Sequence, residues 1–273
     1  MFLALELGRP LFLEGDAGVG KTEVAKALSR WTGGELLRLQ CYEGIDVASA
    51  VYEWDYARQL LHLRANESRP GAEEPDALEA GLYRERFLLR RPLLRAIEAR
   101  EGPVPVLLID EVDRSDDEFE AFLLEILSDW SVTVPELGTF RAEVPPVAVL
   151  TSNRTRDVHD ALKRRCLYHW VEHPDFEREV AIVRLRAPAV DEALARQVAA
   201  VVEVVRGLGL YKPPGVAETI DWALALAALG RAPLDQAAVE ATLGVAVKYR
   251  EDQERVRTFG FAGLAEAAAA RGA

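Results

Sequence analysis

The chain has 273 residues, 49% of them hydrophobic and 29% charged, proportions typical of a folded globular protein with an ample core. Its net charge of −12 argues against a general nucleic-acid-binding protein, because phosphate contacts dominate such affinity. No apolar run approaches the ~18 residues of a membrane span, and residues 1–7 lack the basic start of a secretion signal. The two cysteines, Cys41 and Cys166, are far apart and have no metal-binding spacing. We therefore expect a reducing, cytoplasmic location and no membrane partner.

The first functional motif is a glycine-rich loop between a strand and a helix. Residues 11–13 are apolar and predict the strand, and residues 22–30 predict a helix with one apolar face. The motif G-x-x-x-x-G-K-[ST] lies between them and consists of Gly15, Asp16, Ala17, Gly18, Val19, Gly20, Lys21 and Thr22. Backbone N–H groups of such a loop and the N-terminus of the helix bind phosphate. We expect these residues to bind a nucleotide, with Lys21 at the β- and γ-phosphates and Thr22 on Mg²⁺.

The elements that follow are less distinctive. Alternation of apolar and polar residues predicts a second strand at residues 35–41. Residues 42–63 predict a loop and then a helix, and residues 66–76, with their prolines and glycine, predict an exposed loop. Proline suits the first turn of a helix, so residues 92–100 are expected to be helical.

A second buried strand begins the next part of the α/β domain. Residues 106–109 form a continuous apolar run, which is typical of a strand covered on both faces of a parallel sheet. Ser115 and Glu118 predict a capping box for the helix after it. The remaining elements are a hairpin insert at about 131–146 with its turn around Gly138, a buried strand at 147–150, a helix at 156–165 and a strand at 167–171.

The character of the sequence changes after residue 173. Strand signals end, and alanine-rich amphipathic helices are predicted at 175–186, 191–206, 216–229 and 235–249. The tail, residues 251–273, is expected to be helical at best and frayed. The predicted fold is an α/β parallel-sheet domain over residues 1–173, followed by a small all-helical domain over residues 174–273.

Asp110 and Glu111 end the buried strand at residues 106–109. In a chain with a phosphate-binding loop, a carboxylate at this position holds the Mg²⁺ shell, which is the role we assign to Asp110. Glu111 is placed to orient and deprotonate an attacking water as a general base. The guanine-reading motif Asn-Lys-x-Asp does not occur in the sequence, so a Ras-like GTPase is disfavoured. The expected cofactors are ATP and Mg²⁺.

Three more polar residues follow predicted elements. Asn153 ends the strand at 147–150, where its side chain could point at the γ-phosphate; a turn asparagine is the structural alternative. Arg164 and Arg165 close the helix at 156–165. Either could stabilise phosphoryl charge on a neighbouring subunit, and the alternative is a solvated helix end where arginine favours the dipole.

Together these motifs resemble AAA+ ATPases. The resemblance is carried by the phosphate-binding loop, by Asp110 with Glu111, by residues 151–153, by the arginine pair and by the helical C-terminal part. The hairpin insert at 131–146 resembles the MoxR family. Four segments are similar to its CoxD-like branch, and they are residues 39–44 (LQCYEG), 52–54 (YEW), 135–138 (PELG) and 151–156 (TSNRTR).

The resemblance implies an ATP-hydrolysing chaperone that works as a homo-hexamer with ATP between subunits. Asn153 would be sensor 1, Arg165 the likelier arginine finger, and Gln40 the residue that holds Glu111 back. The expected partners are a von Willebrand factor A domain protein and a metalloenzyme client. The CoxD-like branch is associated with maturation of molybdenum–copper carbon monoxide dehydrogenase and related enzymes.

Two features depart from the family pattern. The sensor-2 arginine is absent near Ala217, so either Lys212 substitutes for it or the helical lid closes without that contact. The chain also starts 14 residues before the loop, so we expect either that its start is truncated or misassigned or that the adenine is held loosely.

Two other functions remain open from the sequence. One is a nucleic-acid-coupled AAA+ protein, in which an arginine cluster could line a pore; a subunit interface or a solvated face is the preferred alternative for this cluster. Its members are Arg84, Arg86, Arg90, Arg91 and Arg95. The other is a nucleotide-dependent scaffold with little turnover, which the intact Asp110-Glu111 pair argues against.

Overall fold

The computed structural model describes residues 1–67, 75–98, 102–230 and 234–272. The chain forms two units. The first contains Met1–Gly15 and Lys21–Trp170, and the second contains Asp16–Gly20 and Val171–Ala273. The limits given above for an α/β domain, 1–173, and a helical domain, 174–273, stay a prediction.

The strands of the first unit form one five-stranded sheet and two antiparallel pairs. They are β1 Leu11–Glu14, β2 Leu36–Gln40, β3 Tyr52–Trp54, β4 Leu88–Arg90, β5 Val106–Asp110, β6 Ser131–Val134, β7 Gly138–Arg141, β8 Val147–Ser152 and β9 Leu167–Trp170. The large sheet has the order β2-β5-β8-β1-β9, and all its neighbouring strands are parallel. Strands β3 and β4 form one antiparallel pair, and β6 and β7 form the other.

Helices cover the sheet of the first unit and make up the second. In the first unit they are α1 Phe2–Leu7, α2 Lys21–Thr32, α3 Val47–Ala50, α4 Tyr56–Glu67, α5 Pro75–Leu82, α6 Pro92–Glu98, α7 Asp117–Asp129 and α8 Asp160–Arg165. In the second they are α9 Phe176–Arg186, α10 Glu192–Arg206, α11 Val216–Ala228, α12 Gln236–Ala246, α13 Arg250–Phe259 and α14 Phe261–Gly272. The predicted α/β class with a helical C-terminal region is confirmed.

The register of the large sheet gathers its polar strand ends at one edge. The four apolar residues of β5 are 0% exposed, as expected of a strand covered on both faces. Gln40 lies opposite Asp110, and Leu13 lies opposite Thr151. The carboxyl ends of β2, β5, β8 and β1 therefore lie side by side, where open parallel sheets bind their ligands.

The interpretation of residues 42–63 as a loop and a helix missed a strand. Asp46 caps α3 by accepting from the N–H of Ser49 at 2.7 Å, and β3 then pairs with β4. The pairing partner lies more than 30 residues away, so no local turn signal marks it, although tyrosine and tryptophan favour strands. Of the exposed loop expected at residues 66–76, residues 68–74 lie outside the described part of the chain, and the flanking residues are helical.

The predicted capping box at Ser115 is wrong. Helix α7 begins one residue later, and Asp116 is its N-cap, accepting from the N–H of Phe119 at 2.8 Å. A 3₁₀ turn, Val112–Arg114, separates β5 from the helix, and the Ser115 hydroxyl closes that turn by donating to the carbonyl of Val112 at 2.7 Å. The hydroxyl of Ser115 is therefore engaged in the 3₁₀ turn and does not cap α7.

Two other elements differ in their limits. Helix α8 begins at Asp160 rather than at residue 156, because Thr155 and Arg156 use their hydrogen bonds to fix an irregular loop after β8. In the hairpin, the turn lies at residues 135–137, and Gly138 already begins β7.

The second unit is a helical bundle with its own core. Trp222 is 0% exposed, and its indole N–H donates to the hydroxyl of Thr242 at 2.7 Å. The expectation of a frayed tail is wrong for the described residues up to 272. Leu264 and Ala268, four residues apart on one face of α14, are buried in the core where α14 packs on α10. None of the helices in the described part of the chain has the length and apolarity needed to cross a bilayer.

Candidate nucleotide-binding site

The phosphate-binding loop joins β1 to α2. Gly18 and Gly20 have φ angles of 79° and 99°, in the left-handed region that glycine adopts without steric cost. Lys21 is 6% exposed, and its ammonium donates to the carbonyl of Gly15 at 2.7 Å. The lysine therefore bends back to Gly15, the residue at which the loop begins.

In the second unit, loop residues Asp16–Gly20 pack against the start of α11. Val216 donates its N–H to the carbonyl of Gly18 at 3.0 Å. A Cβ on Gly215 would lie 2.6 Å from the carbonyl oxygen of Ala17 and 2.8 Å from the Cα of Gly18, so this position requires glycine. Sequence reasoning missed this contact, although the Pro-Pro-Gly before a predicted helix was a signal for it.

The residues considered for the sensor-2 role lie near this contact. Ala217 is exposed on the first turn of α11. The ammonium of Lys212 lies 6.0 Å from the ring centroid of Tyr249, and its backbone N–H donates to Asp252. Lys212 is therefore directed at a tyrosine in this arrangement.

A partly buried arginine, Arg206, supports the same region. Its guanidinium donates to both carboxylate oxygens of Glu179, at 2.6 and 2.8 Å, and to the carbonyl of Pro214 at 2.7 Å. It thereby fixes the residue before Gly215. His173 lies nearby, 3.4 Å from the carboxylate of Asp16, and its pKa is lowered by burial and then by the charge of Arg206.

Thr22 and Asp110, the residues expected to hold Mg²⁺, lie together in the first unit. The hydroxyl of Thr22 donates to Oδ1 of Asp110 at 3.2 Å, and the hydroxyl of Thr151 donates to the same oxygen at 2.5 Å. Hard oxygen donors of this kind fit Mg²⁺. The described residues contain no cluster of three or more histidines, cysteines and acids.

Glu111 lies at the centre of a set of donors. Its backbone φ is 55°, an uncommon conformation for a non-glycine residue. Its carboxylate accepts from Nδ2 of Asn153 at 3.2 Å, from Nε2 of Gln40 at 3.1 Å and from Arg114 at 3.3 Å. The structure therefore brings Glu111, Asn153 and Gln40 together, as the sequence led us to expect.

Two charged residues of this site were missed by sequence reasoning. Arg38 donates from Nε and Nη2 to Oδ2 of Asp110 at 3.0 and 2.6 Å. Asp113 is 2% exposed and accepts from the N–H groups of Asn153 and Thr155 at 3.2 and 2.8 Å. Arg38 could have been found, because strand alternation puts it on the same face as Gln40. Asp113 had no such signal.

A second buried carboxylate, Glu14, lies directly before the loop and is 4% exposed. The hydroxyl of Tyr168 donates to it at 2.9 Å, and the cationic groups of Lys163 and Arg154 lie 3.7 and 3.9 Å away. Burial, followed by the hydrogen bond to Glu14, raises the pKa of Tyr168. Glu14 therefore links the start of the loop to α8 and to the residue after Asn153.

The two cysteines are buried thiols. Burial, with smaller contributions from Asp110 and Asp113, raises the pKa of Cys41 to about 12. Burial also raises the pKa of Cys166 to about 12. Both therefore stay protonated near neutral pH and serve packing, not chemistry.

Arg164 and Arg165 are exposed at the end of α8. Arg164 makes an open ion pair with Asp160 at 3.6 Å, and Arg9 donates to the backbone carbonyls of both arginines at 2.7 and 3.2 Å. Beside them is a surface groove of about 610 Å³. In the described part of the chain, neither arginine is hydrogen-bonded or ion-paired to Asp110 or Glu111. A residue that acts on a neighbouring subunit needs such an outward position.

The sequence of this chain was compared with those of known protein families. Residues 10–166 match the family model described as AAA domain (dynein-related subfamily). A comparison with curated proteins gives no significant match.

Among solved structures, the chain is similar to a point mutant of Thermotoga maritima RuvB (15% identity, TM-score 0.49, 89% of this chain and 66% of that one). It is also similar to a proposed ATPase from Cytophaga hutchinsonii (14%, 0.47, 98% and 86%). A third is the Thermotoga maritima RuvB Holliday junction branch migration motor (15%, 0.47, 89% and 65%). The chain thus spans slightly less than two thirds of the RuvB chains, and at these identities we draw no functional conclusion from the likeness.

Proposed function

This chain belongs to the dynein-related subfamily of AAA domains, a family of nucleotide-hydrolysing ATPases, and we propose that it hydrolyses ATP to remodel a client protein. One observation carries the proposal. Asp110 lies against the Thr22 hydroxyl while the adjacent Glu111 meets the Asn153 amide, so the metal-holding and water-activating carboxylates stand side by side at the sheet edge.

The residues divide the work of hydrolysis between them. The loop N–H groups and Lys21 bind the phosphates. Thr22 and Asp110 would hold Mg²⁺, which would supply positive charge against that of the phosphates. Glu111 takes the proton of the attacking water as that water's oxygen bonds to the γ-phosphorus and ADP leaves. Asn153 orients the same water.

We also propose that Gln40 holds Glu111 away from water until the client is bound. The hydrogen bond of 3.1 Å between Gln40 Nε2 and Glu111 supports this role. The amide N–H occupies a carboxylate oxygen that would otherwise be open to the attacking water. Release of Gln40 would then raise the rate of hydrolysis.

The proposed assembly is a homo-hexamer in which Arg165, or Arg164, stabilises the γ-phosphate of the neighbouring subunit. The exposure of both arginines, and the clamp that Arg9 places on their backbone, support this role. An arginine that acts in trans contributes about 10³–10⁵ in rate in related phosphoryl-transfer systems.

The client and partner are proposed from sequence resemblance to the MoxR family and its CoxD-like branch. The client would be a carbon monoxide dehydrogenase-like metalloenzyme, and the partner a von Willebrand factor A domain protein. This experiment tests the proposal: such an enzyme is co-expressed with the wild-type chain or with Glu111→Gln, and its metal content and activity are measured. We expect loading with the wild type alone. Equal loading with both would reject the maturation role while leaving ATP hydrolysis in place.

The nucleic-acid alternative has lost support. Arg90 pairs with Glu85 and Glu98, and Arg91 and Arg95 pair with Glu53 and Glu35. Carboxylates therefore neutralise much of the charge that phosphates would need. Salt-sensitive binding of DNA by the purified chain would revive this function.

A further inference from the structure

Arg38 is a cation that touches the carboxylate expected to hold magnesium. Its guanidinium donates twice to Oδ2 of Asp110, at 3.0 and 2.6 Å, while Oδ1 accepts from Thr22 and Thr151. Oδ2 is thus held mainly by the arginine and Oδ1 by the two hydroxyls, although the Thr22 hydroxyl also lies 3.5 Å from Oδ2.

The exposure of the two partners shows that this is more than a surface ion pair. The side chain of Asp110 is 5% exposed, whereas that of Arg38 is 55% exposed. The carboxylate is fixed inside the protein, and the arginine reaches it from solvent on a flexible stem. A buried carboxylate needs a compensating charge, whereas the arginine can return to water at little cost. The pair is therefore built so that the arginine is the member that leaves.

Arg38 also contacts the neighbouring part of the site. Its Nη2 donates to Oε1 of Gln40, whose Nε2 donates to Glu111. The guanidinium thereby fixes which end of the Gln40 amide faces Glu111. Arg38 thus contacts Asp110 directly. It also orients Gln40, which in turn holds Glu111.

We propose that Arg38 is a positioning residue that exchanges with magnesium at Asp110. The guanidinium supplies the charge that Asp110 needs while no metal is bound, and it leaves Oδ2 when the carboxylate serves magnesium. Its departure frees Gln40 to turn, which loosens the hold on Glu111. This inference rests on the proposed nucleotide-binding function. It adds that Arg38 sets the magnesium concentration at which the site becomes half-saturated.

The test measures magnesium binding without turnover. A fluorescent, non-hydrolysable ATP analogue is bound to the wild type and to Arg38→Ala, Arg38→Gln and Arg38→Lys, and magnesium is titrated. Arg250→Ala is the matched control, because that exposed arginine also pairs with a carboxylate, in α13. We expect half-saturation at about tenfold lower magnesium in Arg38→Ala, the factor given by ~1.4 kcal/mol of lost competition. Arg38→Gln should resemble Arg38→Ala, and Arg38→Lys should stay near the wild type.

A second readout separates exchange from simple structural support. Thermal unfolding is recorded in EDTA and again with magnesium and the analogue. Loss of Arg38 should lower the Tm in EDTA, because Asp110 loses its charge partner, and the deficit should shrink when magnesium is bound. An equal deficit in both conditions would mean that Arg38 is only structural.

The outcomes also separate this inference from the function on which it rests. If the wild type requires magnesium to bind the analogue but Arg38→Ala and Arg38→Gln have unchanged or higher half-saturation, the exchange is refuted and nucleotide binding stands. If the wild type binds no nucleotide, both are refuted. If Arg38→Ala does not fold, the order of Arg38→Gln and Arg38→Lys decides, since only the lysine keeps the charge.

Discussion

The amide of Asn153 donates to the carboxylate of Glu111 at 3.2 Å, across the ends of two neighbouring parallel strands. The two residues are 42 positions apart in the chain. They meet because β5 and β8 are adjacent and in register, so that the residues after each strand come out at the same edge. A water beside this pair would contact a base and an orienting amide together.

Glu111→Gln should abolish hydrolysis and keep nucleotide binding. An amide cannot take the proton of water, so the rate should fall by about 10²–10⁴, the usual contribution of a general base. The measurement is steady-state phosphate release beside the Kd for ATP. Glu125→Gln, an exposed acid on α7, is the control and should behave as the wild type. Normal turnover in Glu111→Gln would show that another group activates the water.

Asn153→Ala should reduce hydrolysis by about a hundredfold, the loss seen when one aligned donor is removed from a reaction centre. ATP affinity should change little, because the amide contacts Glu111 and does not belong to the loop. The measurement is kcat and KM for the two proteins. An increase in KM with an unchanged kcat would place Asn153 in ground-state binding.

Asp113→Ala should lower both stability and activity, although Asp113 is not expected to touch substrate. Its buried carboxylate accepts from two N–H groups and from the hydroxyl of Thr155 at 2.6 Å. Leaving these donors without a partner should reduce the free energy of unfolding by about 3 kcal/mol. Denaturant unfolding measures this cost. A change below the error of the method would mean that water replaces the carboxylate and that Asp113 does not position Asn153.

Some residues of this site could be predicted from sequence, because the signals that mark them are continuous in the chain. The phosphate-binding loop is continuous in the chain, and the apolar run at residues 106–109 indicates a buried strand whose end must lie at the sheet edge. Asp110 and Glu111 follow from those two facts, and Asn153 follows from the next apolar run, at residues 147–150. Arg38 and Asp113 do not, because their partners lie 72 and about 40 residues away and neither stands at a strand end. The pairing of β3 with β4 was missed for the same reason.

Gly215→Ala should weaken both stability and nucleotide affinity. The added methyl group would meet backbone atoms of Ala17 and Gly18 at 2.6 and 2.8 Å, and backbone cannot give way as a flexible side chain can. We expect a cost of about 1–3 kcal/mol and a loosened loop. Gly244→Ala is the matched control in helix α12, where the new methyl group would lie 3.6 Å from Gln253 and should stabilise the helix slightly. Thermal unfolding is measured with and without ATP for both variants. A Tm of Gly215→Ala equal to that of the wild type would contradict the close packing.

His173 should make stability depend on pH. Its pKa in the folded state is lowered by burial and by Arg206, below the 6.5 of an ordinary histidine. Below pH 6.5 the unfolded chain therefore binds more protons at this position than the folded chain does, and stability falls as the pH falls. His173→Gln should flatten that part of the profile between about pH 5 and 7. If the stability of the wild type and of His173→Gln changes equally with pH, other groups cause the pH dependence.

The central claim is that the active site is shared between subunits, and mixing two inactive variants tests it most directly. ATP hydrolysis is measured against protein concentration for the wild type, for Arg165→Ala, for Glu111→Gln and for mixtures of the two variants. We predict that wild-type turnover per chain rises with concentration and that the mixture is more active than either variant alone, because some interfaces then combine an intact Glu111 with an intact Arg165. Turnover that is independent of concentration, with no recovery on mixing, would contradict the account, since the site would then be complete within one chain.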